Sequence, residues 1–332
     1  MARIAVLDDY IGCAEEFGDW APLVDEHEIV FFREPIPADH LVEAIAGFDV
    51  LVITQQRTWF PREVLERLPN LRLIVTNAST SNAVDHECRR ELGIMLCGTF
   101  DPGQSGGPSG STEAARLGLL SPPAELAWAL LFAVTKRLGI EDREIRAGGW
   151  QTGFPLPLSG KTLGLAGLGN IGGMMCGPAR AFNMDVIAWS EHLTEERAAE
   201  RGARLVTKEE LLRESDVLAI FLQLSERTRG LFGAAEFGQM KRGAFLVNVS
   251  RGPIVEEQAL VDALRSGQLA GAALDVFEQE PLPRDHPFRS LENVVLTPHV
   301  GYVTEAGFRR AFTRMAEDVV AYFAGTPIRV VD

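Results

Sequence analysis

The sequence predicts an α/β protein built of two doubly wound parallel-sheet domains. Three observations carry that reading. Short β-branched runs alternate with helical stretches over the first hundred residues, a Gly/Pro/Ser-rich break follows at about 101–123, and a second alternating series comes after it. Strands separated by helices argue for parallel sheets covered on both faces. The 332 residues fit two domains at roughly 150 residues each.

The first series places strands at Ile4–Leu7, Ile29–Phe32, Val50–Thr54, Leu71–Thr76 and Ile94–Leu96, with helical patterns such as Ala38–Ala46 and Pro61–Leu68 between them. Pro61 suits the first turn of its helix, where a missing N–H costs nothing. The break contains Asp-Pro-Gly, Ser-Gly-Gly-Pro-Ser-Gly-Ser and Ser-Pro-Pro, a composition that buries no core. An apolar helix, Ala124–Leu138, opens the second series. Its strands are Thr162–Ala166, Val186–Trp189, Val217–Leu222, Ala244–Val249, Ala272–Val276 and Val294–Leu296. A last helix, about Thr304–Phe323, repeats Phe308, Phe312, Met315, Val319, Val320 and Phe323 at helical spacing.

Composition narrows the function. Basic residues number 32 and acidic residues 46, a net charge of −14. Such a surface repels phosphate backbones and anionic lipid, so neither nucleic acid nor membrane is expected as a partner. The four cysteines, Cys13, Cys88, Cys97 and Cys176, have no metal-like spacing, so no metal site is expected. Free thiols fit a reducing compartment. The first residues reach Asp8 and Asp9 before any signal-peptide core could form, so a cytoplasmic protein is expected.

Gly167-Leu168-Gly169-Asn170-Ile171-Gly172 reads G-x-G-x-x-G. It follows the strand Thr162–Ala166 and precedes a helical stretch, Met174–Phe182. In that setting the first glycine permits a tight turn, the second lets a pyrophosphate approach the backbone, and the third lets helix pack on strand. The helix N-terminus then faces the phosphates with N–H donors. Gly167, Gly169, Asn170, Ile171 and Gly172 are therefore expected to bind a dinucleotide. The acid that should end the next strand and hold the adenosine ribose is either displaced by one residue or absent: Ser190 stands there, with Glu191 after it. Glu191 would repel a 2′-phosphate, so the expectation leans to NAD with NADP kept open. Arg197 and Arg201 are the nearest cations in the following helix.

Three chemically able residues follow strands of the second series: Arg251, Glu280 and His299. Parallel strands bring such ends to one edge, where ligands of open α/β sheets bind. A carbonyl that accepts hydride develops alkoxide charge and needs a proton donor, for which histidine is suited. A paired carboxylate orients the imidazole and favours its protonated form. An arginine can grip a carboxylate through two hydrogen bonds and polarise the adjacent carbonyl. Asp275, at another strand end, could accept a hydrogen bond from the nicotinamide amide.

The strings Gly-Leu-Gly-Asn-Ile-Gly, Asn-Val-Ser-Arg-Gly-Pro-Ile-Val, Ala-Leu-Asp-Val-Phe-Glu-Gln-Glu-Pro and Leu-Thr-Pro-His-Val-Gly resemble the D-isomer-specific 2-hydroxyacid dehydrogenases. The resemblance covers nearly the whole chain. It implies a flavodoxin-like substrate domain, residues 1–100 plus 302–332, and a Rossmann cofactor domain, residues 101–301, joined by a hinged cleft. It also implies a homodimer built on the cofactor domain and hydride transfer between nicotinamide and a D-2-hydroxy acid/2-keto acid. By matching position, Arg251 is the substrate arginine, Glu280 the histidine partner, His299 the acid/base, and Asp275 faces the nicotinamide. The backbone N–H groups of Ser79 and Thr80 would hold the substrate carboxylate, with Arg57 and Trp59 shaping the pocket. Thr80 stands where the family usually has glycine, and a β-branched residue would be strained there if the loop needed a positive φ. The 101–123 insertion is longer than the family pattern and lies beside the hinge. Its Leu117–Leu120 part is expected to pack near the cleft. A second reading is an NAD(H)-sensing binding protein without turnover, like the corepressors that share this fold. Formate dehydrogenases resemble the family too, but carry glutamine at the position of Glu280.

Overall fold

A computed structural model of the chain describes residues 1–54, 57–99 and 121–331. Its contacts divide into two units, Met1–Gly110 with Val303–Asp332, and Ser111–Tyr302. Most of the expected insertion, including Leu117–Leu120, lies outside the described residues.

The first unit holds five parallel strands in the order β2-β1-β3-β4-β5. They are β1 Arg3–Val6, β2 Glu28–Phe31, β3 Val50–Ile53, β4 Leu73–Thr76 and β5 Met95–Gly98. The order 2-1-3-4-5 is that of flavodoxin-like sheets. Every residue of β3 and β4 is buried, as expected when helices cover both faces. The helices are shorter than their apolar patterns predict: Leu41–Ile45 rather than 38–46, and Arg62–Leu65 rather than 61–68. Tight i→i+3 bonds replace the missing turns, as from Leu41 N to Ala38 O and from Leu68 N to Leu65 O. Leu71 belongs to such a turn, bonding Leu68 O, so β4 starts two residues later than predicted.

Thr304 caps the last helix, Glu305–Phe323, by accepting from Gly307 N at 3.1 Å. Phe308, Phe312, Met315 and Val319 are buried as the spacing predicts, whereas Val320 and Phe323 are half-buried. Asp318 is buried on the same helix, and Arg329 Nε donates to its Oδ1 at 2.9 Å. Beyond the helix, Val330 bridges Cys97 in antiparallel fashion, and Val331 N reaches Leu96 O at 2.8 Å. The segment thereby covers the outer edge of β5.

The second unit holds seven parallel strands in the order β12-β11-β10-β9-β6-β7-β8. They are β6 Thr162–Ala166, β7 Asp185–Trp189, β8 Arg204–Leu205, β9 Val217–Ile220, β10 Ala244–Asn248, β11 Leu269–Leu274 and β12 Val294–Leu296. Strand order reverses at β6, which makes its carboxyl end the switch point where nucleotides bind in Rossmann folds. The two-residue β8 carries no apolar signal and was not expected. Strand β11 begins at Leu269 and ends before Asp275, earlier at both ends than predicted.

The helix Pro122–Thr135 takes in Pro122 and Pro123, which composition alone assigned to the loop; proline's fixed φ suits a first turn. A further helix, Leu138–Arg146, was not foreseen because none of its residues is buried, so no apolar face marks it. Among the described residues no helix is long and apolar enough to cross a membrane.

Candidate active site

The glycine turn sits at the end of β6. Gly167 has φ +99°, and its N–H reaches Trp189 O of β7 at 2.8 Å. A side chain at Gly172 would overlap Gly167 O, so the helix can press onto the turn only with glycine there. That helix, Asn170–Ala181, starts four residues earlier than predicted, with Gly169 as its N-cap. Asn170 and Ile171 open its first turn, which places the positive helix end over the strand end. A Cβ at Gly169 would meet nothing within 4 Å, so the space beside the turn is open. Such an open glycine cradle at a helix N-terminus fits a pyrophosphate.

Ser190 and Glu191 are the first residues past β7, the first half-buried and the second exposed. Arg197 Nη1 donates to His192 O at 3.5 Å, and the Arg201 side chain lies along Gly173.

At the opposite side of the switch point, β10 leads into the Arg251 loop. Asn248 Oδ1 accepts from Ser250 N at 3.0 Å, and Asn248 Nδ2 donates to Arg251 O at 3.1 Å. Ser250 Oγ donates to Leu222 O. Gly252 lies so close to the Phe277 carbonyl that any side chain would collide with it. This contact seats the Arg251 loop directly on the loop that carries Glu280. Arg251 Nη1 donates to Ser250 O at 2.7 Å. Burial pulls the guanidinium below its ordinary pKa, against the opposing charge of Glu280.

Glu280 follows β11. Its Oε1 accepts from Phe277 N at 3.0 Å, and its Oε2 lies 2.6 Å from His299 Nδ1. Burial alone would raise this carboxyl. The hydrogen bond and charge of His299, the Phe277 amide and Arg251 hold it below its usual value instead. His299 follows β12 with φ +54°, and its ring meets Tyr302 edge-on at 5.6 Å. Arg251, Glu280 and His299 are thus gathered on one edge of one sheet.

Asp275 is buried, and its carboxylate faces the His299 loop. Oδ1 accepts from Thr297 Oγ1 at 2.6 Å and Val300 N at 2.8 Å, and Oδ2 from Gly301 N at 3.0 Å. Burial pushes its carboxyl up, against the pull of those donors and of His299. Thr297 is the partner that sequence reading missed; only its position two residues before His299 hinted at it.

In the first unit, Ser79 and Thr80 lie exposed on the loop after β4. Thr80 is not among the residues with positive φ, so the strain expected of a β-branched residue there does not arise. His86 Nε2 lies 2.9 Å from Ser81 O, and Arg89 Nε donates to His86 Nδ1 at 3.5 Å. An acceptor Nδ1 leaves the proton on Nε2, so His86 donates to the loop carbonyl. Arg57 Nη1 donates to Asp8 O at 3.3 Å, and its guanidinium lies over the Tyr10 ring. Trp59 is exposed.

A parallel sheet with a glycine cradle at its switch point, and an arginine with a histidine–carboxylate pair along the same edge, defines a dinucleotide-dependent oxidoreductase. Comparison with known proteins agrees. The family profile of the D-isomer specific 2-hydroxyacid dehydrogenase NAD binding domain matches residues 128–301. A glyoxylate reductase of Aeropyrum pernix is 39% identical over 272 residues, 79% of this chain and 76% of that protein. A hydroxypyruvate reductase of Blautia hydrogenotrophica is 30% identical over 339 residues, 99% of each. The crystal structure of a phosphoglycerate oxidoreductase from Vibrio cholerae o395 superposes with a TM-score of 0.85 at 31% identity, covering 98% of this chain and 100% of that one. The chain belongs to the D-isomer specific 2-hydroxyacid dehydrogenase family. It is an NAD(P)-dependent oxidoreductase acting on CH–OH donors.

Proposed function

We propose that the protein reduces a small 2-keto acid of the glyoxylate and hydroxypyruvate class to the D-2-hydroxy acid, with NADH as reductant. The observation that carries this reading is the 2.6 Å contact between His299 Nδ1 and Glu280 Oε2, on the sheet edge that also bears Arg251. The names of the similar reductases support the substrate class.

A dinucleotide whose pyrophosphate is held by the cradle of Gly167, Gly169, Asn170, Ile171 and Gly172 would supply, from its nicotinamide, the hydride that adds to the keto carbon. Arg251 grips the substrate carboxylate and polarises the carbonyl. Ser79 and Thr80, exposed on the loop after β4, are the residues whose N–H groups would bind the substrate carboxylate. His299 gives the proton on Nε2 to the carbonyl oxygen as it becomes hydroxyl, and Glu280 holds Nδ1 throughout. The unit Met1–Gly110 with Val303–Asp332 is then the substrate domain, and Ser111–Tyr302 the cofactor domain.

Glu191, exposed past β7, supports NADH over NADPH, because its charge repels a 2′-phosphate. Arg197 is turned to the His192 carbonyl, and Arg201 lies along the helix at Gly173. A homodimer is supported by apolar side chains after the helix Leu138–Arg146: Trp150 is 73% exposed and Phe154 100%. Phe154→Asp would then yield monomers in sedimentation.

The decisive measurement is nicotinamide oxidation with a panel of 2-keto acids, using NADH and NADPH in turn. Steady turnover with glyoxylate or hydroxypyruvate and a higher kcat/KM for NADH is expected. Tight NADH binding without turnover on any keto acid would replace this reading with that of a nucleotide-sensing protein.

A further inference from the structure

A second histidine–carboxylate pair lies beside the first. Glu257 is the first residue of the helix Glu257–Arg265, and its Oε2 lies 3.0 Å from His286 Nε2. Its other oxygen, Oε1, accepts from Glu278 N at 2.8 Å. His286 Nδ1 accepts from Phe288 N at 3.3 Å, so the imidazole proton sits on Nε2 and points to Glu257. Both side chains are mostly buried, unlike a surface ion pair.

The backbone amide that Glu257 holds is adjacent to the one that holds Glu280. Phe277 N–H donates to Glu280 Oε1, and the next amide, Glu278 N–H, donates to Glu257. The turn carrying Glu280 is therefore pinned on one side by the close approach of Gly252 to the Phe277 carbonyl. On the other it is pinned by the Glu257 carboxylate, itself fixed by His286. We infer that Glu257 and His286 are positioning residues for the reaction: they fix the 277–280 turn so that Glu280 meets His299 in the geometry proton transfer needs. The inference rests on the reading of Glu280 and His299 as the acid/base pair. It assigns work to a histidine whose polar surroundings in the sequence offer no catalytic signal.

A merely structural ion pair would change stability and leave the pH dependence of catalysis in place. A positioning pair changes both. The groups around His299 are Glu280, Asp275, Arg251 and Tyr302, and none of them bonds to Glu257. Removing Glu257 also removes a negative charge. That long-range effect would act on His299 whether or not Glu280 carries charge. An effect exerted through Glu280 disappears once Glu280 is neutral.

The test is the pH profile of kcat/KM and kcat for glyoxylate reduction with NADH. It compares the full-length protein with Glu257→Ala, His286→Ala, Glu280→Gln and the double variant Glu257→Ala/Glu280→Gln. Glu257→Ala is expected to lower kcat about 3–10-fold with KM little changed, and to shift the high-pH limb downward in the same direction as Glu280→Gln. In the Glu280→Gln background it should add no further shift. His286→Ala, which leaves the Glu278 tie in place, should give a smaller shift of the same sign, and it replaces Glu257→Ala if that variant melts below assay temperature. If Glu280→Gln moves the profile but Glu257→Ala and His286→Ala do not, only the positioning role is lost. A shift from Glu257→Ala that persists in the double variant is through-space charge and overturns it too, as does failure of both alanine variants to fold. If Glu280→Gln leaves the profile unmoved, the acid/base reading falls and this inference with it.

Discussion

Nδ1 of His299 stands 2.6 Å from Oε2 of Glu280, and the two residues reach that contact from loops after neighbouring strands. Strands β11 and β12 run parallel in register, so their ends supply the carboxylate and the imidazole side by side. A second carboxylate, Asp275, fixes the backbone on which His299 rides. One acid orients the ring and another holds the chain beneath it.

Glu280→Gln removes the charge but keeps the shape. Reduction needs a proton on His299, and the carboxylate partner favours that state. The high-pH limb of reductive kcat/KM should therefore move to lower pH. Glu280 itself is held below its ordinary pKa, so in the parent enzyme its charge persists to more acidic pH than that of an exposed glutamate. A profile identical to that of the parent enzyme, with the hydride step shown to limit the rate, contradicts the pairing.

Arg251→Lys keeps the charge and loses the planar fork. A loss of about 10²-fold in kcat/KM for the keto acid is expected, roughly 2–3 kcal/mol of transition-state binding. The dissociation constant for NADH should stay within about twofold, since the cradle at Gly167–Gly172 is untouched. Near-parental kcat/KM would show that the carboxylate is held elsewhere.

Asp275→Asn puts an amide where three donors converge. Whichever way it turns, its NH2 meets the Gly301 N–H on one side or the Val300 N–H on the other. Leaving a buried donor unmatched costs about 1–3 kcal/mol. The melting temperature should fall by several degrees, and kcat should fall with it as the His299 loop slackens. A variant with parental melting and kcat would mean that the loop holds itself.

Asp318 predicts a pH dependence of stability. It is 0% exposed, its Oδ2 has no hydrogen-bond partner, and burial pushes its carboxyl up to about 7 against the pull of Arg329. An unfolded aspartate titrates near 3.9, so the folded state binds the extra proton between about pH 4 and 7. The stability this group contributes is greatest below that window and declines as pH rises through it. Asp318→Asn has no such proton. Its melting temperature should therefore gain on the parent's between pH 5 and pH 8. A difference that stays constant over that range contradicts the buried titration.

The parts of the site that can be read from sequence are those set by steric necessity or local order. Gly167 and Gly172 are legible because a turn and a close approach demand them at fixed offsets. Arg251, Glu280 and His299 stand out in the sequence because each comes shortly after an apolar run that reads as a strand. What stays hidden is pairing at a distance. His286 looks like one more polar residue until Glu257, 29 positions away, is beside it. Thr297, Val300 and Gly301 are hidden in the same way until they are found donating to the Asp275 carboxylate. The helix Leu138–Arg146 escaped because none of its residues is fully buried, and Pro122 and Pro123 misled because proline opens helices as readily as it marks loops.

The bridge from Val330 to Cys97 sets an order of assembly during synthesis. A ribosome adding about 5–20 residues per second makes β5 roughly 10–50 s before the segment that pairs with its outer edge. The helix Glu305–Phe323, which packs against β4, is equally late. The second unit is contiguous and emerges whole in between. The domain begun first is thus finished last: its sheet waits with the edge of β5 unpaired and β4 without its last helix while the nucleotide-binding unit completes its own.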